Sequence, residues 1–248
     1  MKKGCLFFLL IIVTLSAYSQ RWKLGRFEIV YGIGTSNYFG DIGGGEEHHN
    51  WSPADLDFKY TRPVVSVGCR YRMKEKVSVK AYLNYVNIYG SDVNSINDSR
   101  FYSFSSNLIE LYGHVEYDLI SAKQFMNYSS RGVRYGLQKF NSSINVYTFV
   151  GLGGMFFFTK AKDNLASSER FVDNKHIALG IPLGFGVRYP LNNRLFVGFE
   201  FGGRFTTTDY LDGFSPKVSN AVDMYYISVI NISYKLKKRG FRNKNIHF

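Results

Sequence analysis

The stretch IELYGHVEYDL, residues 109–119, alternates strictly between two kinds of position and carries the clearest structural signal in the chain. Its odd-numbered positions are apolar or glycine, apart from the amphipathic Tyr117. Its even-numbered positions carry a hydroxyl or an ionisable group: Glu110, Tyr112, His114, Glu116 and Asp118. A period of two places the two sets on opposite faces of a β-strand. The stretch therefore predicts a strand with one apolar and one polar face.

Seven further segments follow the same period, with glycine interspersed. They are residues 27–34, 65–72, 77–85, 144–158, 179–189, 195–204 and 224–234. The segment 144–158 is apolar on both faces, so its orientation stays open. In segment 179–189, Pro182 would cost a hydrogen bond between strands unless it lies at a bulge.

The links between these segments alternate in length. Residues 73–75 and 190–193 form short turns, and the other end of the strand set carries long polar loops: residues 38–62, 90–105, 159–175 and 206–221. Eight strands joined in this way predict an all-β fold, an antiparallel up-and-down barrel. The even strand number places both chain ends on one side.

The composition favours a barrel that spans a membrane. Of the 248 residues 17% are aromatic and 24 are glycine, but only five are proline. Membrane barrels carry aromatic girdles at both interfaces, and only a closed sheet satisfies every backbone group in lipid. A soluble β-sandwich is the competing interpretation.

The N-terminus has the features of a secretory signal peptide, predicted to span residues 1–19. Lys2 and Lys3 precede an apolar run over residues 5–15, and the small residues Ala17 and Ser19 suit cleavage. The run is shorter than the roughly 20 residues of a membrane-spanning helix. We therefore expect residues 20–236 to form a barrel in the cell outer membrane, followed by a basic periplasmic tail over residues 237–248.

One predicted periplasmic link breaks the usual rule. Short turns and chain termini of such barrels face the periplasm, which assigns residues 73–75, 121–143 and 190–193 to that side. The link over residues 121–143 is long for a periplasmic turn. This exception makes it a candidate for function.

The polar faces of the strands carry a nearly balanced set of charges. If the apolar faces contact lipid, the lumen receives Glu28, Arg70, Arg72, Lys80, Glu110, His114, Glu116, Arg188, Glu200 and Arg204. Side chains can fill an eight-stranded barrel, and buried charges persist only when paired. We expect a lumen closed by ion pairs, with no catalytic residue, cofactor or small-molecule substrate.

The predicted periplasmic rim is strongly basic, in a chain whose net charge is +12. Neither residues 121–143 nor the tail contains an acid, and the candidate partner-binding bases are Lys123, Arg131, Arg134, Lys139, Lys237, Lys238, Arg239 and Arg242. Anionic lipid head groups and an acidic periplasmic protein are both candidate partners. Nucleic acid is not expected as a partner because no aromatic stacking motif lies among these bases.

Other candidate sites are weaker. His48 and His49 are adjacent and point apart in an extended segment, so we expect a solvated loop and no metal site. A lipid-modifying enzyme would need a rim histidine such as His176 beside a serine.

The glycine-rich stretch GIGTSNYFGDIGGG, residues 32–45, is followed by no helix that could complete a phosphate site. The first and last strands of a closed barrel are neighbours. We therefore expect Tyr38 and Asp41 to meet Asp209 and Tyr210 in a seam at the outer rim.

Two motifs carry a resemblance to a known family. The stretches GTSNYFGDIGG, residues 34–44, and FTTTDYLDG, residues 205–213, resemble the outer-membrane β-barrel proteins of Bacteroidetes that include PorG of the type IX secretion system. The matching positions are Asn37, Tyr38, Gly40, Asp41, Thr208, Asp209, Tyr210 and Asp212. The last predicted strand ends well before Phe248, so Tyr234 would have to serve as the terminal aromatic assembly signal.

The resemblance implies a non-enzymatic subunit that ties a periplasmic ring, built from a lipoprotein and its partner, to the outer membrane. It implies no catalytic residues. A small outer-membrane uptake or efflux barrel is the alternative function.

Overall fold

The structure is a computed structural model. It describes residues 25–40, 42, 60–93, 98–121, 144–168, 171, 176–192, 194–214 and 223–236. The predicted signal peptide and the basic tail lie outside this part of the chain, as do the two loop histidines. Of the link over residues 121–143, only Ser121 is described.

Eight strands close into a barrel. They are β1 Phe27–Phe39, β2 Arg62–Arg72, β3 Val77–Ser91, β4 Tyr102–Ile120, β5 Asn145–Asp163, β6 Ile177–Pro190, β7 Leu195–Thr206 and β8 Met224–Lys235. Each pairs antiparallel with its neighbours in the chain, and β8 pairs with β1. The predicted up-and-down topology is confirmed. No helix in the described ranges is long and apolar enough to cross a membrane.

Several strands run further toward the long loops than hydropathy predicts. The predicted loop over residues 90–105 shortens to 92–101, because β3 and β4 stay paired up to Ser91 and Ser103. The first strand likewise continues to Phe39, where it pairs with Met224. The apolar pattern fades in these ends, but backbone hydrogen bonding to a neighbour does not depend on which side chains a strand carries.

The outside of the barrel is apolar over most of its height. Leu152 is 70% exposed, Ile33 69% and Leu111 65%. The orientation of β5 is now fixed, with Leu152 and Phe156 pointing outward and Met155 inward. So large an apolar surface suits lipid and not water. The chain is therefore a transmembrane barrel of the kind found in the outer membrane.

The pairing of β5 with β6 is interrupted opposite Pro182. Pairs are present at Val150 with Leu183 and at Gly153 with Gly180, with the same register on both sides of the gap. The pairing of β6 with β7 is continuous through Pro182. Proline has no N–H to donate, so the strand loses local pairing on one side and forms no bulge.

Candidate functional site

The periplasmic half of the lumen contains a buried ion-pair network centred on Arg70. Its Nε lies 2.7 Å from Glu116 Oε2, its Nη1 lies 3.3 Å from Glu28 Oε2, and its Nη2 lies 3.5 Å from Glu200 Oε1. The Arg70 side chain is fully buried. One guanidinium therefore compensates three carboxylates from three other strands.

Two more bases complete this network. Lys80 Nζ lies 2.7 Å from both carboxylate oxygens of Glu200, and Arg188 Nη1 lies 2.8 Å from Glu28 Oε2. The Tyr147 hydroxyl donates to Glu200 at 2.7 Å. The polar network, as we call this set, has three bases and three carboxylates, so its formal charges cancel: Glu28, Arg70, Lys80, Glu116, Arg188 and Glu200. The closed barrel is confirmed, and the predicted charge pairing of the lumen is confirmed for these six residues.

Three residues predicted to form ion pairs are placed differently. Glu110 accepts hydrogen bonds from Asn84 Nδ2 at 2.8 Å and from the Tyr225 hydroxyl, both neutral donors. The Arg204 guanidinium lies 5.8 Å from the ring centroids of both Tyr82 and Tyr112. For Arg204 and for the half-buried Arg72, no carboxylate of the described chain lies within ion-pairing distance. For Glu110 and Arg204, tyrosine side chains and an amide are the partners instead, and the hydropathy pattern did not mark them as such.

The outer half of the lumen is an apolar core. It is built by inward-facing side chains that include Val86, Leu108 and Phe157, each at most 1% exposed. Residues from the loop ends cover it, and these too are buried: Ile42, Leu165, Leu211 and Phe214. The outer core, as we call this region, closes the barrel mainly by apolar packing.

This core was not predicted from the hydropathy pattern. In the outer half of β3, β4 and β5 the inward positions are apolar while outward positions become polar, as at Asn87 and Asn107. The inside-outside relation is thus reversed there relative to the middle of the same strands. The sequence signal that could have revealed the core is a switch within one strand: the apolar residues move from the outward-facing alternate positions to the inward-facing ones.

Inward-facing glycines on β6 lie directly against aromatic rings from β4 and β5. On β6 a side chain at Gly186 would lie 2.4 Å from Tyr147 Cζ, and one at Gly180 would lie 2.1 Å from the Tyr112 hydroxyl. At Gly184 the nearest ring atom is Phe149 Cζ, at 2.7 Å. The inward glycines of β6 therefore act as space for aromatic side chains of β4 and β5.

At the outer rim, where a seam between the first and last loops was predicted, Tyr38 contacts Asp223, the residue just before β8. The Tyr38 hydroxyl donates to Asp223 Oδ1, and Asp223 Oδ2 accepts from the Leu211 amide at 2.8 Å. Tyr210 packs against the same outer core as Tyr38, and its amide donates to Thr208 Oγ1 at 3.3 Å. Asp41 lies outside the described residues, so that part of the seam stays a prediction. Asp223 is the contact that the sequence did not identify.

The predicted partner-binding bases all lie outside the described part of the chain: Lys123, Arg131, Arg134, Lys139, Lys237, Lys238, Arg239 and Arg242. The points at which these segments leave the barrel are described. Ser121 follows β4, Ile144 precedes β5 and Leu236 follows β8, at the barrel end that also carries the short turns at 73–76 and 191–194. The Leu236 amide donates to the Phe27 carbonyl at 2.8 Å, so the start of β1 and the end of β8 lie at the same rim.

Two other kinds of site were considered from the sequence, a lipid-modifying site at His176 and a metal site, and the described residues show the following around them. His176 Nδ1 lies 3.2 Å from the Phe157 carbonyl, and its ring stacks on Phe158. No serine is among the contacts of His176 within the described ranges. Within those ranges there is also no group of three histidine, cysteine, aspartate or glutamate side chains that could hold a metal ion.

A comparison of the chain with the models of known protein families gives a match to one family. The model of a family described as a domain of unknown function, DUF6089, matches residues 2–234. The chain belongs to the DUF6089 family. The match covers nearly all of the DUF6089 barrel and stops short of the basic tail. No curated protein matches the chain.

Several solved structures are similar to this DUF6089 chain. Neisserial surface protein A is 8% identical, with a TM-score of 0.47 over 85% of this chain and 97% of its own. OprG from Pseudomonas aeruginosa is 12% identical, with a TM-score of 0.46 over 86% and 97%. A major outer membrane protein from Thermus thermophilus is 12% identical, with a TM-score of 0.42 over 85% and 99%.

Proposed function

We propose that this chain is a non-enzymatic outer-membrane subunit that anchors a periplasmic ring of a protein secretion machine of the type IX class. The barrel holds the subunit in lipid. The basic link over residues 121–143 and the basic tail over residues 237–248 contact the ring, which is built from a lipoprotein and its partner.

The filled lumen is the observation that carries this proposal. Arg70 and its carboxylates occupy the periplasmic half, and the outer core occupies the other half. An eight-stranded barrel is only wide enough for its own side chains. Because the interior is taken up by packing and ion pairs, the functional surfaces of the protein are its two rims.

The periplasmic rim has the charge that an acidic protein partner requires. Both basic segments are free of acids in sequence, and both leave the barrel at the rim that carries the short turns. Complementary charge speeds association and orients partners. Anionic lipid alone would explain a basic belt, but it does not explain a link much longer than a periplasmic turn normally is.

The resemblance to the PorG-containing family of Bacteroidetes gives the proposal its partner. The matched positions lie at the outer end of β1, in the first outer loop and in the last one, and Tyr38 among them contributes to the seam with Asp223. These positions support the resemblance, whereas the docking role is assigned to the opposite rim.

The test is charge reversal followed by co-purification of the periplasmic ring proteins from detergent-solubilised outer membranes. Lys237→Glu with Lys238→Glu, and Arg131→Glu with Arg134→Glu, are expected to reduce the bound ring proteins and the secreted cargo. The matched control is Lys74→Glu with Lys76→Glu, an equal charge change in an exposed turn of the same rim. Unchanged co-purification and secretion in both test variants would refute the docking role.

The uptake or efflux alternative has its own measurement. Purified protein in planar bilayers is expected to show no single-channel conductance, because side chains occupy the lumen. Reproducible conductance steps would favour the transport function instead.

A further inference from the structure

Toward the outer end of β3, β4 and β5, the outward-facing side chains change from apolar to uncharged polar and then to basic. Leu83, Ile109 and Phe156 are large exposed apolar residues in the membrane band. Above them Asn87 Nδ2 donates to Asn107 Oδ1 at 2.6 Å, which marks the first polar layer. Beyond that layer, the outward positions of β5 are Lys160 and Lys162, both exposed.

Two bases at this boundary lie against one aromatic ring, and a third lies two strands away in the same register. Arg62 Cζ lies 4.4 Å from the ring centroid of Tyr89, and Lys162 Nζ lies 5.2 Å from it. The strand register places Tyr89 opposite Ser105, and Ser105 opposite Lys160. We call Arg62, Tyr89, Lys160 and Lys162 the outer basic cluster.

The outer basic cluster occupies only one side of the barrel. At the outer ends of the other strands the outward residues carry no charge, as at Asn37 and Phe39 on β1, Ile177 on β6, Phe205 on β7 and Tyr226 on β8. No outward lysine or arginine stands there among the residues that the structure describes. Among the described residues the outward bases of this rim therefore gather on one side, which favours a localised occupant over a belt around the barrel.

Within the described residues, the bases of the cluster form no ion pair. Arg100, nearby on the same rim, pairs with Asp92 at 3.0 Å. In contrast, no carboxylate of the described chain lies within ion-pairing distance of Arg62, Lys160 or Lys162. Tyr60 packs on Tyr89 at 5.3 Å between ring centroids. The Tyr89 ring contacts both Arg62 and Lys162 through cation–π interactions, and the Lys162 side chain is exposed.

We propose that the outer basic cluster binds the phosphate groups of a phosphorylated glycolipid in the outer leaflet. Bases beside a membrane surface recognise anionic head groups, and lysine extends its amine to the interface while its stem follows apolar surface. The apolar band directly below, at Ile109, Phe156 and Phe158, receives the acyl chains. This continuity of basic cluster and apolar band selects a lipid over free phosphate.

The test measures lipid retained by the purified full-length barrel in mixed micelles. The probes are lipid A carrying two phosphates and the same lipid after enzymatic dephosphorylation. The test variant is Arg62→Gln, Lys160→Gln and Lys162→Gln. The control variant is Lys74→Gln, Lys76→Gln and Arg194→Gln, an equal loss of charge among exposed residues of the other rim.

Wild type and the control variant are expected to retain the diphosphorylated lipid over the dephosphorylated one. The test variant is expected to lose on the order of a hundredfold in retention, since each base near an anionic surface contributes a factor of about five. Inorganic phosphate at the lipid's concentration should not displace the lipid. Equal retention by test variant and wild type, equal loss in both variants, or displacement by inorganic phosphate would each overturn the proposal.

Folding is checked by the gel-mobility shift between heated and unheated barrel. Should the triple variant fail to fold, Lys160→Gln alone replaces it, because this exposed side chain makes no hydrogen bond or ion pair with the described residues. The expected loss is then about fivefold, and retention equal to wild type would overturn the proposal.

Discussion

The two halves of the barrel interior close the same lumen by different physics. The periplasmic half uses the polar network, in which each charge needs a named partner, as Lys80 needs Glu200. The outer half uses the outer core, in which Leu108 and Phe157 are buried among other apolar side chains. Ion pairs demand specific geometry, whereas an apolar core demands volume. The difference predicts which changes each half tolerates.

The largest expected effect is that of Arg70→Ala in the polar network. The change leaves Glu116 buried beside His114, whose Nε2 lies 3.2 Å from its carboxylate, while Glu28 and Glu200 keep Arg188 and Lys80. Removing one partner of a buried ion pair costs about 3 to 5 kcal/mol. Urea unfolding of the barrel in lipid vesicles measures the loss.

The control for this prediction removes both charges. Arg70→Met combined with Glu116→Gln leaves no uncompensated carboxylate at that position, so we expect it to recover at least half of the lost stability. A double variant as unstable as Arg70→Ala would mean that the polar network acts through packing alone, and the contrast between the two halves would fail.

An intermediate effect is expected for Leu108→Ala in the outer core. The side chain is fully buried, and cavity formation at such a site costs about 3 kcal/mol. Leu108→Met preserves the volume and should cost less than about 1.5 kcal/mol. The same urea titration compares the two variants. Equal losses would show that the outer core needs specific geometry as the polar network does.

The smallest of the three effects is expected for Tyr38→Phe at the edge of the outer core. The change removes the hydroxyl that donates to Asp223, at a cost of about 1 to 2 kcal/mol. Hydrogen exchange at the Leu211 amide, which donates to the same carboxylate, should become faster. Tyr226→Phe on the outward face of β8 is the control and should leave that exchange unchanged.

The extent to which sequence predicted the site differs between the two halves. Glu28, Arg70 and Glu200 stand at regular polar positions between apolar ones, so period-two reasoning places them in the lumen. Val86 and Leu108 stand at equally inward positions, but their strands carry polar residues on the outside there. Hydropathy alone assigns an apolar residue to lipid, and that rule fails wherever the barrel is plugged by its own apolar side chains.

The seam at the outer rim shows the same division. The pairing of β1 with β8 follows from barrel closure, which the strand count predicts. The hydrogen bond from Tyr38 to Asp223 does not, since Asp223 precedes β8 and carries no local signal of an inward contact.

The sequence by itself determined the strand count, the closure and the face of each strand that meets lipid along the middle of the barrel, because a period of two is a local property of a few neighbouring residues. Only the tertiary structure decided the partners across the lumen. Lys80 on β3 meets Glu200 on β7 because closure brings opposite walls together, and Arg70 on β2 reaches past β3 to Glu116 on β4. Strand stagger and side-chain length set those contacts, and neither is written in the pattern of any single strand.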